Sequence, residues 1–198
     1  MRIQLNLWPA LAFVGVLLAW LAFALTFLLH KKSPAPPDKK RDPASFAGVV
    51  LQGLSYALLW IFKREWFTPI FGSGKLLEII LAVVIVLLAS ASVWLCAAAV
   101  RTLGVQWSLA ARVVEGHKLV TQGPYSIVRN PIYTGMLGML LATGLAVSRW
   151  IGLVFAILVF AIGTFIRVSR EERLLREMFG REFDDYAQRV RAVIPFLV

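Results

Sequence analysis

The chain of 198 residues is poor in several residue types that common functional classes need. The chain has a single cysteine, Cys96, so an internal disulfide framework is excluded. One cysteine and two histidines also cannot form a cysteine-rich zinc site, so we expect no metal site. Charged residues make up 16% of the chain, against about 25% in an average soluble domain. No GxGxxG pattern follows a strand-like run, which excludes a Rossmann unit.

Apolar sequence dominates the composition instead. Hydrophobic residues account for 59% of the chain, more than a soluble globule of this size can bury. We therefore predict an all-α integral membrane protein. The formal net charge of +10 would suggest a nucleic-acid partner in a soluble protein, but the basic residues gather at the ends of the apolar runs. The expected partners are therefore anionic lipid headgroups and not nucleic acid.

Apolar runs of about 20 residues, the length that crosses a bilayer, predict five transmembrane helices. The last apolar stretch, residues 131–166, is too long for one crossing, because a single helix of its 36 residues would measure about 54 Å. The interruption Ser148-Arg149-Trp150 therefore predicts a tight hairpin of two helices of about 17 residues each. Residues 167–198 are predicted to form a cytoplasmic amphipathic C-terminal helix with a break at Gly180. The other three spans are predicted over residues 7–29, 44–62 and 76–100, the first as a retained helix and not a signal peptide.

The distribution of positive charge predicts the topology. Sixteen of the 21 Lys and Arg residues fall in segments 30–43, 101–130 and 167–198, and five fall elsewhere. Because cytoplasmic loops carry the excess of Lys and Arg, the N-terminus is predicted outside and the C-terminus in the cytoplasm. The membrane would be the inner membrane of a prokaryote or the endoplasmic reticulum of a eukaryote. We divide the chain into residues 1–100, three helices with a basic, proline-rich, solvated linker at 30–43, and residues 101–198.

Two polar segments on the cytoplasmic side hold residues suited to chemistry. In the first, Gly116, Gly123 and Pro124 interrupt any helix, so backbone groups are left for water or a ligand. In the second, Arg167 and Glu171 lie four residues apart and share one helix face. An exposed salt bridge worth about 0–1 kcal/mol would also explain this pair, and the residues alone leave both interpretations open.

Both segments resemble the isoprenylcysteine carboxyl methyltransferase family and its relatives, the phospholipid methyltransferases. The resemblance covers roughly residues 101–198, whereas the first two spans resemble the family only in being spans. No single element is specific, but the ordered set is. The matching elements are Leu103-Gly104, Trp107-Ser108, His117-Lys118-Leu119-Val120, Gly123, Tyr125, Arg129, Pro131, Tyr133, Arg167, Glu171-Glu172, Phe179-Gly180, Tyr186 and Ile194-Pro195.

The resemblance implies a membrane enzyme that uses S-adenosylmethionine as cofactor and takes a lipid or isoprenylated substrate from the bilayer. Residues 101–198 would then be the cofactor-binding region, with Arg167 as the catalytic residue that holds the acceptor group. Glu171 suits the ammonium of the cofactor, and the rings of Tyr125 and Tyr133 suit its adenine or its cation. The cofactor-binding residues implied in this way are His117, Lys118, Leu119, Val120, Tyr125, Asn130, Pro131, Ile132, Tyr133 and Glu171.

Three functions stay open at this point. The first is carboxyl methylation of an isoprenylated cysteine or a similar lipid-linked carboxylate, which Arg167 would orient. The second is N-methylation of a phospholipid such as phosphatidylethanolamine, with Arg167 on a phosphate. The third is a membrane binding or transport protein without enzymatic activity. Asn130 stands where the family usually has histidine, which disfavours an acceptor amine that must lose a proton. The sequence predicts neither the physiological acceptor nor the oligomeric state.

Overall fold

The computed structural model describes residues 6–29, 38–71, 74–107, 112–114 and 118–193, with the backbone alone for residues 38–41 and 112–114. Most of these residues are helical. The helices are α1 (Leu7–Leu28), α2 (Ser45–Ile61), α3 (Lys75–Leu103), α4 (Pro131–Val147), α5 (Trp150–Phe179) and α6 (Arg181–Arg189), with 3-10 turns at Gly104–Gln106 and Gly123–Ser126. Two short strands, β1 (Asp38–Arg41) and β2 (Arg112–Val114), pair antiparallel.

Three helical segments are long and apolar enough to cross a membrane: Leu7–Leu28, Lys75–Gln106 and Trp150–Phe179. They confirm the prediction of a helical membrane protein. The other two helices predicted as spans, α2 and α4, have 17 residues each, close to the lower limit of about 17 for a crossing. The count of five spans therefore stays a prediction. Large apolar side chains face outward, with Trp94 69% and Phe165 73% exposed, as expected of surfaces in contact with lipid.

The predicted helical hairpin is present, but its second helix is longer than predicted. Ser148 and Arg149 separate α4 from α5. The prediction that this second helix ends at residue 166 is wrong, because α5 continues to Phe179. The Arg, Glu and Leu residues that follow are good helix formers, and the helix stops at Gly180, which has a φ of 52°. The charged residues after 166 therefore lie on the same rigid helix as a span, and the separate C-terminal helix is the nine-residue α6.

Small residues bring the helices into close contact. A Cβ added to Gly135 on α4 would clash with Cys96 Sγ on α3, and one added to Gly138 would clash with Ser92 Oγ. α1 also packs on α3, and α2 packs along α5. Close backbone approach of this kind favours helix association in a membrane. Cys96 is fully buried, as a small apolar residue would be.

The linker between α1 and α2 is not entirely the solvated loop that the sequence predicted. β1 lies in this linker and pairs with β2, with Arg41 opposite Arg112. The next residue, Asp42, is only 7% exposed, so the expectation that the charges of the linker stay in water is wrong for this residue. The reason is that α5 provides Arg170 and Arg173, which pair with the carboxylate. The strand pair adds a short ladder to an otherwise helical architecture.

At one end of the helices, the loop after α2 is tied to the turn between α4 and α5. Arg64 Nη2 donates to Leu145 O and Ala146 O at 2.8 Å each. Arg64 Nη1 donates to Ser148 O at 2.5 Å, and Nε donates to Thr68 O at 2.7 Å. Carbonyls at a helix C-terminus have no partner inside the helix, so Arg64 caps α4. Burial lowers the pKa of the Arg64 guanidinium to about 10. We call this region the capped end.

Candidate active site

A cavity of about 610 Å³ lies among α1, α2, α4 and α5, towards the N-terminal end of α4. Small-molecule sites are typically about 300–1,000 Å³, so the cavity is of the right size for a ligand. We call this region the cavity end. The polar side chains that line it are Gln52, Gln106, Arg129, Asn130, Tyr133, Arg167 and Glu171. The aromatic ones are Trp20, Phe23, Phe27, Tyr56, Trp107 and Tyr125.

Three side chains form a hydrogen-bonded group at the polar part of the cavity. Arg167 Nε donates to Tyr133 Oη at 2.5 Å, and Arg167 Nη2 donates to Glu171 Oε1 at 2.7 Å. Tyr133 Oη donates to the same Glu171 Oε1 at 2.6 Å. The side chain of Arg167 is 4% exposed and that of Glu171 is 25% exposed. Arg167 and Glu171 are thus a buried, hydrogen-bonded pair and not the exposed salt bridge that the sequence left open.

The backbone of α2 fixes the position of Arg167. α2 and α5 approach each other closely where Gly48 meets Gly163. A Cβ added to Gly48 would lie 2.5 Å from Arg167 Cγ and 2.6 Å from Gly163 O. Because glycine leaves this space free, the aliphatic part of Arg167 packs directly on the α2 backbone. The guanidinium is therefore held from two sides, by α2 and by Tyr133 on α4.

Arg129 and Glu172 form a second ion pair, whose role the sequence did not reveal. Arg129 Nε and Nη2 donate to Glu172 Oε1 and Oε2 at 2.9 and 3.2 Å. Arg129 Nη1 donates to Ala187 O at 2.8 Å and also to Val190 O. Both side chains are mostly buried, with 13% and 14% exposed. This bidentate pair joins the segment before α4 to α5 and to the end of α6, and it fixes the rotation of α5 next to Glu171.

The chain after α6 pairs with the segment that leads into α4. The backbone N–H groups of Arg129 and Asn130 donate to Arg191 O and Ala192 O at 2.7 and 2.9 Å. Asn130 Nδ2 donates to Ala192 O at 3.0 Å and to Glu172 Oε1 at 3.4 Å. The side chain of Asn130 thus serves as an anchor for the C-terminal segment, a role that an amide can fill without titrating.

Tyr125 lines the cavity from the 3-10 turn that Gly123 begins. Gly123 has a φ of 59°, a value that favours glycine. Tyr125 is 7% exposed, and its carbonyl accepts a hydrogen bond from Tyr186 Oη at 2.6 Å. Burial raises the pKa of Tyr125 well above its ordinary value and that of Tyr186 to about 12. Both phenols are therefore neutral at physiological pH and act through their rings and hydroxyls.

An aromatic row from α1 forms the apolar part of the cavity. The ring centroids of Trp20 and Phe23 are 5.4 Å apart, and those of Phe23 and Phe27 are 4.9 Å apart. Phe27 reaches Trp107 at 5.2 Å, and Trp20 reaches Tyr56 on α2 at 5.1 Å. The spacing of the α1 aromatics predicts one helix face, but nothing local marks that face as part of a site. The contribution of the first two helices to the cavity could therefore not be predicted from the sequence.

The predicted site residues divide into three groups. Arg167 and six of the predicted cofactor residues line one cavity: Tyr125, Asn130, Pro131, Ile132, Tyr133 and Glu171. Lys118, Leu119 and Val120 do not line the cavity. Lys118 is nevertheless one residue away from it, because Lys118 N donates to Oε1 of the cavity residue Gln106 at 2.6 Å. His117 lies outside the described residues.

Within the described parts of the chain no group of three or more His, Cys, Asp or Glu residues could hold a metal ion.

The fold defines a helical membrane protein with a cavity of ligand size among its helices. Comparison with known proteins gives its family. A sequence model of the family described as phospholipid methyltransferase matches residues 77–182, more than half of the chain.

Three relatives illustrate the similarity. A probable protein-S-isoprenylcysteine O-methyltransferase of Oryza sativa subsp. indica is 33% identical over 156 residues, 77% of this chain and 74% of that protein. Protein-S-isoprenylcysteine O-methyltransferase B of Arabidopsis thaliana is 39% identical over 84 residues, 42% of each chain. The cobalt-zinc-cadmium resistance protein CzcN of Cupriavidus metallidurans is 36% identical over 104 residues, 48% of this chain and 44% of that protein.

The chain belongs to the phospholipid methyltransferase family of membrane enzymes. The resemblance to isoprenylcysteine carboxyl methyltransferases that the sequence motifs indicated is confirmed by the rice and Arabidopsis relatives. The protein is therefore a membrane methyltransferase.

Proposed function

We propose that the protein methylates the carboxylate of an isoprenylated cysteine, or of a similar lipid-linked cysteine, with S-adenosylmethionine as the methyl donor. The observation that carries this proposal is the buried Arg167–Tyr133–Glu171 group, which lies at the polar part of a cavity with an aromatic wall. One ligand with a charged head and one with an apolar chain would both find matching surfaces there. The names of the rice and Arabidopsis relatives specify this acceptor for those proteins.

The residues of the polar part fit a donor that carries an ammonium, a sulfonium and an adenine. Both described contacts of the Glu171 carboxylate use Oε1, so Oε2 is available to an ammonium in a partly buried setting, where a charge-assisted hydrogen bond is strong. Tyr125 and Tyr133 provide aromatic faces for a cation or a base. When bound, S-adenosylmethionine supplies a methyl group carried on a positively charged sulfur. The carboxylate oxygen would accept this methyl group as the carbon–sulfur bond breaks, which leaves a neutral thioether and requires no proton transfer.

Arg167 would orient the acceptor carboxylate through its fork of N–H donors. A carboxylate is already ionised at neutral pH, so the site needs no general base, and catalysis depends mainly on positioning. The rigid setting of Arg167, between the Gly48 backbone and Tyr133, suits this task. Asn130 stands where the family usually has histidine, and its amide is bonded to Ala192 O and Glu172 Oε1, which favours a carboxylate over an amine that must first lose a proton.

We also propose a topology for the whole site. α2 and α4 would cross the membrane with the three longer helices, which places the N-terminus outside and the cavity end at the cytoplasmic face. The excess of Lys and Arg in that part of the sequence supports this arrangement, and the same residues would contact anionic headgroups. Residues 1–100 would then provide the aromatic wall for the lipid chain, and residues 101–198 would provide the donor site.

Methyl transfer from a radiolabelled donor tests the proposal. Purified protein in lipid nanodiscs is incubated with labelled S-adenosylmethionine and either a farnesylated cysteine analogue or phosphatidylethanolamine. We expect label on the farnesylated analogue in a form that base releases, as an ester does. Base-stable label in the phospholipid would instead support N-methylation, and no label in either would overturn the proposal. Arg167→Gln is the inactive reference, and Arg176→Gln, an exposed arginine of the same helix, is the matched control.

A further inference from the structure

Gln52, on α2, carries a buried amide to which the proposed reaction assigns no role. The residue is 4% exposed and lines the cavity. Its Nε2 donates to Thr164 Oγ1 on α5 at 3.0 Å, whereas Oε1 accepts no hydrogen bond from the described residues. Oε1 is not enclosed by these residues either, so it is open to the cavity. An amide oxygen shielded from water favours a ligand that can donate to it.

The described polar atoms next to Gln52 in the aromatic wall are used differently. Trp20 Nε1 donates to Thr143 Oγ1 at 3.0 Å, and Tyr56 Oη donates to Met136 O at 2.7 Å. Both groups therefore direct their hydrogen into the protein and present their rings to the cavity. Gln52 adds a hydrogen-bond acceptor to a wall that these rings make apolar.

Gln52 lies between Arg167 and the aromatic wall. Four residues before it on α2, Gly48 packs against Arg167. Four residues after it, Tyr56 reaches Trp20, with 5.1 Å between the ring centroids. Each step of four residues along a helix rises about 6 Å. A lipid-linked carboxylate that extends from Arg167 to the aromatic wall therefore passes Gln52.

We propose that Gln52 is a specificity-determining residue, whose Oε1 accepts a hydrogen bond from an amide N–H on the carbon next to the acceptor carboxylate. The substrate class is then an N-acylated amino acid that carries its lipid on the side chain, as at the end of a lipidated polypeptide. A plain fatty acid has no such N–H and leaves Oε1 unpaired, so the site disfavours it. This inference rests on the proposed function, because it requires a carboxylate bound at Arg167.

An acceptor of this class matches the spacing of the two groups. Its carboxylate, its amide nitrogen and its lipid-bearing side chain all leave from the same carbon. A hydrogen bond of about 2.9 Å at each end lets the carboxylate and the N–H together bridge the rise of one helical turn between Gly48 and Gln52. The third substituent, the lipid, is then directed towards the aromatic wall.

A matched amide and ester test the hydrogen bond without any change in the protein. The amide is N-acetyl-S-farnesylcysteine, and the ester is its analogue in which an oxygen replaces the amide N–H. Methyl transfer from labelled S-adenosylmethionine to each is measured with the full-length wild type in nanodiscs. We expect kcat/KM to be about tenfold higher for the amide, the discrimination typical of one buried hydrogen bond, with most of the difference in KM.

Gln52→Met removes the amide oxygen and keeps an unbranched side chain of similar length. The KM for the amide should rise, and the kcat/KM values of the two acceptors should come within about twofold of each other. The matched control is Thr164→Val, which removes the partner of Gln52 Nε2 but not Oε1, at a residue that does not line the cavity. It should keep the tenfold preference. A purely structural role of Gln52 would instead change both acceptors equally.

Equal kcat/KM values for the amide and the ester in the wild type would overturn the inference, while transfer to both would leave the proposed function intact. A tenfold preference that persists in folded Gln52→Met would also overturn it. No transfer to either acceptor would contradict the proposed function itself, and the inference with it. Should Gln52→Met not fold, the two acceptors still decide the question on the wild type.

Discussion

The two ends of the helices each place an arginine largely out of water, but they use it in opposite ways. At the capped end, the described hydrogen bonds of the Arg64 side chain all go to backbone carbonyls, which cannot titrate or move independently of their helix. At the cavity end, Arg167 donates to a phenol and a carboxylate, which can exchange partners with a ligand. The cavity beside Arg167 measures about 610 Å³, whereas the pocket beside Arg64 measures about 20 Å³.

Arg64 is placed to stabilise the fold, whereas Arg167 is placed beside a cavity in which a ligand could bind. Both are largely shielded from water and both would stand out in an apolar sequence. What separates them is the chemistry of the acceptors and the presence of space for a ligand. Burial of a charge by itself therefore does not indicate function in a membrane protein.

Arg167→Gln should have the largest effect on activity. Removing the guanidinium N–H groups of Arg167 should lower the rate of methyl transfer about 10²–10³-fold, the loss typical of one preorganised electrostatic contact. Arg176→Gln, on the same helix and paired with Asp184 at 2.8 Å, should retain activity. Methyl transfer is measured with labelled donor on protein shown to be folded by its unfolding transition. Full activity in Arg167→Gln would contradict the functional difference between Arg167 and Arg64.

Arg64→Gln should act on stability and not on chemistry. The loss of charge-assisted hydrogen bonds to the end of α4 should lower the free energy of unfolding by about 2–4 kcal/mol. kcat per folded molecule should stay unchanged. The measurement is thermal unfolding in detergent, with the exposed neighbour Lys63→Gln as the control. A large loss of kcat in folded Arg64→Gln protein would show that the two ends are not independent.

Gly48→Ala tests the positioning of Arg167 without changing any charge. The added methyl would lie 2.5 Å from Arg167 Cγ, so the guanidinium must shift. A misplacement of this order should lower kcat about ten- to a hundredfold. Gly74→Ala, directly before α3 and away from the cavity lining, adds a methyl with no atom within 4 Å and should keep most of the activity. Equal kcat values for the two variants would mean that the contact with α2 does not position Arg167.

Tyr186 should give the smallest effect, and it depends on pH. Its pKa is raised to about 12 in the folded protein, from about 10 in an unfolded chain. Folding therefore favours the neutral phenol. The contribution of Tyr186 to the free energy of unfolding is complete below about pH 10 and is lost as the pH rises towards 12.

Tyr186→Phe should cost about 1 kcal/mol at neutral pH, because the hydrogen bond to Tyr125 O is lost. The variant should then lose less stability than the wild type between pH 10 and 12. Unfolding followed by circular dichroism at pH 8 and pH 11 measures both effects. A parallel decline of wild type and variant would show that Tyr186 does not carry the alkaline sensitivity.

Local sequence patterns were sufficient for the helices and for the proximity of Arg167, Tyr133 and Glu171. Apolar runs predicted the helices to within a few residues at most ends, and Gly180 was correctly predicted to end a helix. The spacing of Arg167 and Glu171 predicted one helix face, and the resemblance predicted that Tyr133 belongs with them. These features depend on periodicity or on a contiguous motif, both of which are present in the sequence itself.

Contacts between distant segments could not be predicted in the same way. Arg129 meets Glu172 across 43 residues and Asp42 meets Arg173 across 131. Nothing in the local pattern of either partner identifies the other, because the pairing is decided by how α2, α4 and α5 pack. The aromatic wall of α1 was missed for the same reason, since its residues have the composition of any lipid-facing helix.

The most direct test of the central claim is the affinity for S-adenosylhomocysteine, measured by calorimetry on the wild type, Glu171→Gln and Arg64→Gln. If the cavity end is the donor site, the wild type binds one molecule, Glu171→Gln binds it at least about tenfold more weakly, and Arg64→Gln binds it like the wild type. Equal affinity in the wild type and Glu171→Gln would contradict the claim.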